Sequence, residues 1–178
     1  MTQLGSVTKT AVTMPATGPA WKHWNLVALT GLTAYSTAVS WLAQQVMYPL
    51  YRAVGPGEFA AYHLQYNDAI PAPIVIPGFV GFASAVAFLW TRPAGVPRWA
   101  AALVSLGGVT CIASTVLWAI PMHDRLDAIG QDPATIDSLL SANLVRTAAL
   151  TLSVGVLGWC LGRLLNRSQQ SPKAPSFR

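Results

Sequence analysis

Residues 70–90 read IPAPIVIPGFVGFASAVAFLW, a run with no charged residue, followed by Thr91 and Arg92. The hydrocarbon core of a bilayer takes about 20 mostly apolar residues of α-helix, so this stretch sets the expectation of a membrane helix. Three more stretches of similar length and character lie around it, at residues 25–47, 99–120 and 143–165. The expected fold is therefore all-α: an integral membrane four-helix antiparallel bundle occupying residues 23–167. Residues 1–22, rich in Thr, Ser, Pro and Gly, and residues 168–178 are expected to be disordered cytoplasmic tails.

Composition agrees. Of 178 residues 53% are hydrophobic and 10% charged, against about 25% charged in soluble domains. The net charge of +5 comes from basic residues scattered at span ends and in tails. No basic stripe with interleaved aromatics suggests nucleic acid. Cys111 and Cys160 lie inside apolar runs and read as small core residues, not as a disulfide or a metal pair.

Eight of the basic residues (Lys9, Lys22, Arg92, Arg98, Arg163, Arg167, Lys173, Arg178) share one side of the pattern, and Arg52, Arg125 and Arg146 lie toward the other. The positive-inside rule then predicts both termini cytoplasmic, in a bacterial inner (plasma) membrane. All six acids, Glu58, Asp68, Asp124, Asp127, Asp132 and Asp137, fall in the two outer loops, residues 48–69 and 121–142, together with His63 and His123. Trp21, Trp24, Trp90, Trp99 and Trp159 suit an inner aromatic belt, and Trp41, Tyr48 and Trp118 an outer one.

In the first outer loop Phe59, Tyr62, His63, Tyr66 and Ile70 recur at helical spacing after Gly55, Pro56 and Gly57. A short amphipathic helix is expected there, with Phe59, Tyr62 and Tyr66 as interface anchors. In the second loop Asp132 before Pro133 is a helix start, so the last helix projects above the membrane. Pro77 is expected to kink the second span. Gly78, Gly81, Ser84, Ser105 and Gly108 permit close helix contact.

Polar residues align inside the spans: Thr30, Thr33, Thr37, Ser40 and Gln44 on the first, Asn143, Thr147 and Thr151 on the last. Such stripes suit plain helix packing as well as a site. Arg146 either snorkels to the boundary or turns inward toward Asp68, Asp124 or an anionic ligand. Asp127, Asp132 and Asp137 read as solvated loop charges; Asp68 and Asp124 are each near a histidine in sequence. The expected reading holds no metal. Were one present, its donors would be His63, His123, Asp124 and Asp68, although no HxxxH or HxxE spacing supports it.

The string Gln44-Gln45-Val46-Met47-Tyr48-Pro49-Leu50-Tyr51, then Gly55, Phe59, Tyr62 and His63, carries a pattern. So do Pro121, His123, Leu126 and Gly130, followed by Asn143, Arg146 and Thr147. Together they resemble the anthrone-oxygenase-like family of small four-span membrane proteins, over roughly residues 42–147. The resemblance implies an oxygenase that converts anthrones, reduced aromatic polyketides, to anthraquinones with molecular oxygen as co-substrate. No dinucleotide, haem or histidine-rich iron motif is present, which fits a cofactor-independent reaction. Such chemistry needs a base (His63 or His123), an oxyanion partner (Arg146, Asn143) and an apolar slot. Gln44, Gln45, Tyr48, Tyr51, Tyr62, Asn67 and Trp118 are the expected substrate contacts. The expected partners are a lipophilic small molecule and membrane lipids, with a homo-oligomer compatible. A cyclase or isomerase with the same layout, and a non-catalytic accessory or lipid- or quinone-binding subunit, are the alternatives.

Overall fold

The computed structural model describes residues 19–169. The expected tails lie almost wholly outside them, save that residues 20–22 already belong to the first helix and residues 168–169 still belong to the last. The protein is all-helical: α1 (Ala20–Ala53), α2 (Pro56–Ala69), α3 (Pro71–Thr91), α4 (Arg98–Ile129) and α5 (Pro133–Gln169). The four long ones are apolar and long enough to cross a membrane. They form a closed ring in which α1 packs on α3, α3 on α4, α4 on α5 and α5 on α1. The short α2 packs on the last turns of α4, and the end of the bundle where it lies is called here the capped end.

The surface is as apolar as the interior. Leu117 is 77% exposed and Leu106 65%, while Asn143, Thr147 and His63 are fully buried. A water-soluble bundle turns its apolar stripe inward; this one also presents apolar side chains outward, as a lipid-facing surface does. The interior holds three apolar clusters, the smallest of them Phe82, Cys111 and Leu150. Leu26, Leu29, Phe88, Val104 and Leu157 fill the end near the termini. Tyr51, Phe59, Leu126, Ile136 and Leu139 fill the capped end.

Helices α1, α3 and α4 each carry one widened, π-helical turn, at 43–47, 71–75 and 115–119. Each closes with a bond from an amide to the carbonyl five residues back: Tyr48 to Ala43, Ile76 to Pro71 and Ile120 to Thr115. The next residue is always a proline: Pro49, Pro77 or Pro121. A proline inside a helix lacks the amide hydrogen and its ring strikes the carbonyl four residues back. A widened turn relieves that clash. The expected kink at Pro77 is thus one of three equivalent features. The carbonyl that Pro77 strands, that of Pro73, accepts the Tyr35 hydroxyl at 2.6 Å.

The turns are built as their residues require. Asp132 caps α5 by accepting the Thr135 amide at 3.0 Å, and hydrogen bonds from Thr135 hold its carboxyl below the usual carboxylate range. Gly130 precedes it with φ +79°, a conformation open to glycine. Gln131 ties this turn to the one after α1, donating to the Tyr51 and Val54 carbonyls at 2.8 Å each. Arg52 and Asp137 pair at the surface nearby.

Thr30 and Thr37 return their hydroxyls to the carbonyls of Leu26 and Thr33, both at 2.7 Å. That is ordinary behaviour for helix threonines and removes them from any site. The tryptophans near the termini are exposed, as a belt needs. Tyr48, expected in the outer belt, is 5% exposed and packs inward. Phe59 is likewise fully buried, not an interface anchor.

Of the small residues, Gly108 matters most. A Cβ there would lie 2.7 Å from the Phe82 carbonyl oxygen and 2.9 Å from the Val86 nitrogen. Backbone cannot yield locally, so α3 and α4 would have to separate. Gly108→Ala is expected to cost about 1–3 kcal/mol, the range for overpacking. Gly31→Ala, with nothing within 4 Å of its Cβ, should be neutral or stabilising by up to about 1 kcal/mol. Thermal unfolding of the purified variants, followed by circular dichroism, checks the contrast; equal midpoints would contradict it.

Candidate functional site

A cavity of about 150 Å³ lies between the capped-end cluster, which contributes Ala43, Tyr48 and Ala119 to its wall, and Phe82 and Leu150. One wall is α1, from Ser36 to Tyr48; the others are the first turns of α3, the widened turn of α4 through His123, and Asn143, Arg146 and Leu150 of α5. Twelve residues of α1 span about 18 Å, so the cavity is an elongated slot along the bundle axis. It reaches the outer surface at Tyr35, which lines it and is 44% exposed. All three proline-associated wide turns contribute lining residues.

At the capped end the slot meets His123. Its Nδ1 lies 3.0 Å from Nε2 of His63, and Nδ1 of His63 lies 2.6 Å from the Asp127 carboxylate. Asn67 donates its amide to both oxygens of Asp127, at 3.1 and 3.3 Å. The proton positions follow. An ionised carboxylate can only accept, so Nδ1 of His63 carries hydrogen. In the neutral His63 ring, Nε2 is then an acceptor, and Nδ1 of His123 must donate to it. Neutral His123 is left with a lone pair on Nε2, which bonds to no group among the described residues. His123 borders the slot. The arrangement is a base backed by a second imidazole and a carboxylate.

Packing holds the chain in place. His63 is fully buried and stacks between Phe59 at 5.5 Å and His123 at 5.2 Å. Tyr51 meets His63 edge-on at 5.4 Å. Burial raises the Tyr66 phenol well above its ordinary range, so Tyr66 is a neutral wall of the slot. The Asp127 side chain is 42% exposed, so the chain of groups runs from the slot to water.

On the α5 wall, Arg146 turns inward. It donates to Thr115 Oγ1 at 2.9 Å and to Asn143 Oδ1 at 2.7 Å. It pairs with no carboxylate among the described residues, and three of its five N–H groups remain. Asn143 is fully buried and gives its amide hydrogens to the Ser40 carbonyl at 3.0 Å and Gln44 Oε1 at 2.8 Å.

Several expectations are corrected by this geometry. Asp127, taken as a solvated loop charge, is the partner of His63. Asp68 and Asp124 are exposed and make no hydrogen bond or ion pair with either histidine, so neither belongs to a donor set with His63 and His123. Among the described residues no group of three His, Cys, Asp or Glu side chains is placed to hold a metal. Tyr48 lines the slot as expected. Gln44 and Asn67 act on Asn143 and Asp127 instead of on the cavity. Tyr51 is buried behind Tyr48, and Tyr62 packs on Tyr51 from outside. Gln45 is exposed, and Trp118 faces away, donating to Ser138 at 2.9 Å. A signal for the missed carboxylate exists in the sequence: His63 with Asn67 and His123 with Asp127 are both spaced by four, each pair on one helix face.

The expected proton positions are open to measurement. Imidazole nitrogen NMR at neutral pH should show hydrogen on Nδ1 of both His63 and His123. In Asp127→Asn the His63 tautomer should become mixed, because the new amide can donate as well as accept. Hydrogen on Nε2 of both rings in the wild type would contradict the assignment.

No family model matches this chain, nor does any curated protein or solved structure.

Proposed function

We propose that the protein is a membrane-embedded enzyme that removes a proton from a lipophilic aromatic substrate and delivers the resulting anion to molecular oxygen. The carrying observation is the chain Asp127–His63–His123 ending on an apolar slot whose adjoining α5 wall holds a guanidinium with no carboxylate partner among the described residues. A permanent cation in a membrane segment costs roughly 2.5–3.5 kcal/mol on insertion scales, and Arg146 has no carboxylate to offset it. A substrate that becomes an oxyanion supplies the missing charge.

In an anthrone the methylene is acidic because its conjugate base spreads charge onto the ring carbonyl oxygen. His123 Nε2 takes the methylene proton, and its Nδ1 proton can pass to His63, whose positive charge Asp127 then balances. Arg146 receives the oxyanion, an interaction strengthened where water is excluded. The carbanion transfers electrons to oxygen and forms a carbon–oxygen bond. Loss of water from the hydroperoxide leaves the ketone, so one oxygen atom enters the product and the other leaves as water. The resemblance over residues 42–147 supports anthrone-like polyketides as the substrate class. The opening at Tyr35 supports access from lipid, and a three-ring molecule would extend into it. The apolar layer of Leu26, Leu29, Phe88, Val104 and Leu157 offers no polar path to the other end and weighs against transport.

The protein belongs, in this proposal, to a bacterial plasma membrane with both termini cytoplasmic. Fluorescent-protein and alkaline phosphatase fusions at the C-terminus test this, with fluorescence and no phosphatase activity expected. The chemistry is tested by incubating the purified protein with anthrones under oxygen and following anthraquinone absorbance. His123→Ala should lose about 10²–10⁴-fold in turnover, the usual contribution of a general base. Arg146→Ala should lose about 10²–10³-fold, and His63→Ala should also fall while remaining folded. Full activity in both Arg146→Ala and His63→Ala would sink the proposal.

A further inference from the structure

Two buried hydroxyls among the described residues have no hydrogen-bond partner, those of Ser36 and Tyr51, and of the two only Ser36 lines the slot. It lies on α1 one turn from Ser40, toward the end near the termini, and lines the slot. It is 8% exposed, and its hydroxyl has no hydrogen-bond partner. Its neighbours differ. Ser40 bonds to Asn143 and Thr147 at 3.2 and 2.6 Å, and Thr37 returns to the preceding turn at 2.7 Å. A hydroxyl buried in apolar surroundings without a partner is unfavourable, and here it borders open volume.

We infer that the slot takes a flat, apolar molecule carrying two oxygen functions: an ionisable one served by His123 and Arg146, and a second, deeper one bonded by Ser36. This rests on the slot being the substrate site proposed above. The register supports it. Ser40 bonds residues 143 and 147 of α5, which sets Arg146 near the level of Ser40. Ser36 lies about 6 Å further along the axis, beside Leu150 and Phe82. The walls between are apolar, so only a molecule polar at both positions satisfies both groups. Discrimination of this kind is strong, because a ligand lacking the second oxygen leaves a buried hydroxyl unpaired. Ser36 is then a specificity-determining residue and has no part in the proton transfer. A pocket of about 10 Å³ behind it, lined by Thr33, Gly107 and Ser153 among others, is near the lower limit for one water. A water there is the competing partner for the hydroxyl.

Two fluorescent probes separate these cases: 2-naphthol, with one hydroxyl, and naphthalene-2,6-diol, with a second at the far end of the rings. Binding of each to the wild type, Ser36→Ala and Arg146→Gln is measured without oxygen in one detergent. Comparing the two probes across variants cancels their different partitioning into micelles. Ser36→Ala should weaken the diol about tenfold, one hydrogen bond's worth, and leave 2-naphthol unchanged, which also shows that the variant is folded. Arg146→Gln should weaken both. If Ser36→Ala shifts the two probes equally or shifts neither, while Arg146→Gln still weakens them, the role of Ser36 is overturned and the site stands. If the wild type binds neither probe saturably, the proposed site falls and this inference with it.

Discussion

The side-chain amide of Asn143 fixes the geometry on which the site depends. It is fully buried and uses every part of its hydrogen-bonding capacity across two helices. Its nitrogen donates to the Ser40 carbonyl and to Gln44. Its oxygen accepts from Ser40 and from Arg146. The donors and acceptors around it therefore decide which way the amide faces. Hydrophobic burial cannot hold two helices in register inside lipid, because tails and side chains are equally apolar there. A polar contact of this kind can. The same amide oxygen that pins α5 to α1 also orients the guanidinium, so the register of the bundle and the position of Arg146 are set together.

A bundle held this tightly would ordinarily close its interior. The three prolines provide the reason it does not. Pro49, Pro77 and Pro121 each follow a widened turn, and each turn adds residues to the cavity wall. Because the three lie at the capped end, the helices pack closely where Gly108 meets α3 and part above it. Space without a proline clash would collapse or fill with side chains, as interiors generally do. The Tyr35 hydroxyl then covers the carbonyl that Pro77 cannot bond, which places a polar tie across the opening between α1 and α3.

The helices were legible in the sequence because length and hydropathy are local properties. The inward face of Arg146 and Asn143 was partly legible, since a guanidinium inside an apolar run demands a partner. The carboxylate was not. By charge and hydropathy residues 121–129 read as loop, and in a loop the spacing of His123 and Asp127 has no meaning. Once α4 is seen to run on to Ile129, the two share a face, and the pair His63 and Asn67 on α2 meets them. Asp68 and Asp124 each stand near a histidine in sequence. On a helix Asp124 points about 100° away from its neighbour His123, and Asp68, five residues on, about 140° away from His63, so both face away. Tyr48 and Phe59 were assigned to the interface from residue type, but an aromatic ring suits a buried imidazole stack as well as a lipid boundary.

The separation of the charges bears on how such a site would work. The cation is inside, on α5, and the carboxylate is at the rim, beyond two imidazoles. They do not neutralise each other. Proton abstraction creates a new pair of charges, an anion on the substrate and a cation on the base. In water that separation is eased by solvent; in an apolar slot it is costly. In the proposed reaction each new charge would find an opposite one already in position, the anion against Arg146 and the imidazolium pair against Asp127. Neither wall needs to reorganise, which is the condition under which fixed charges lower a barrier most.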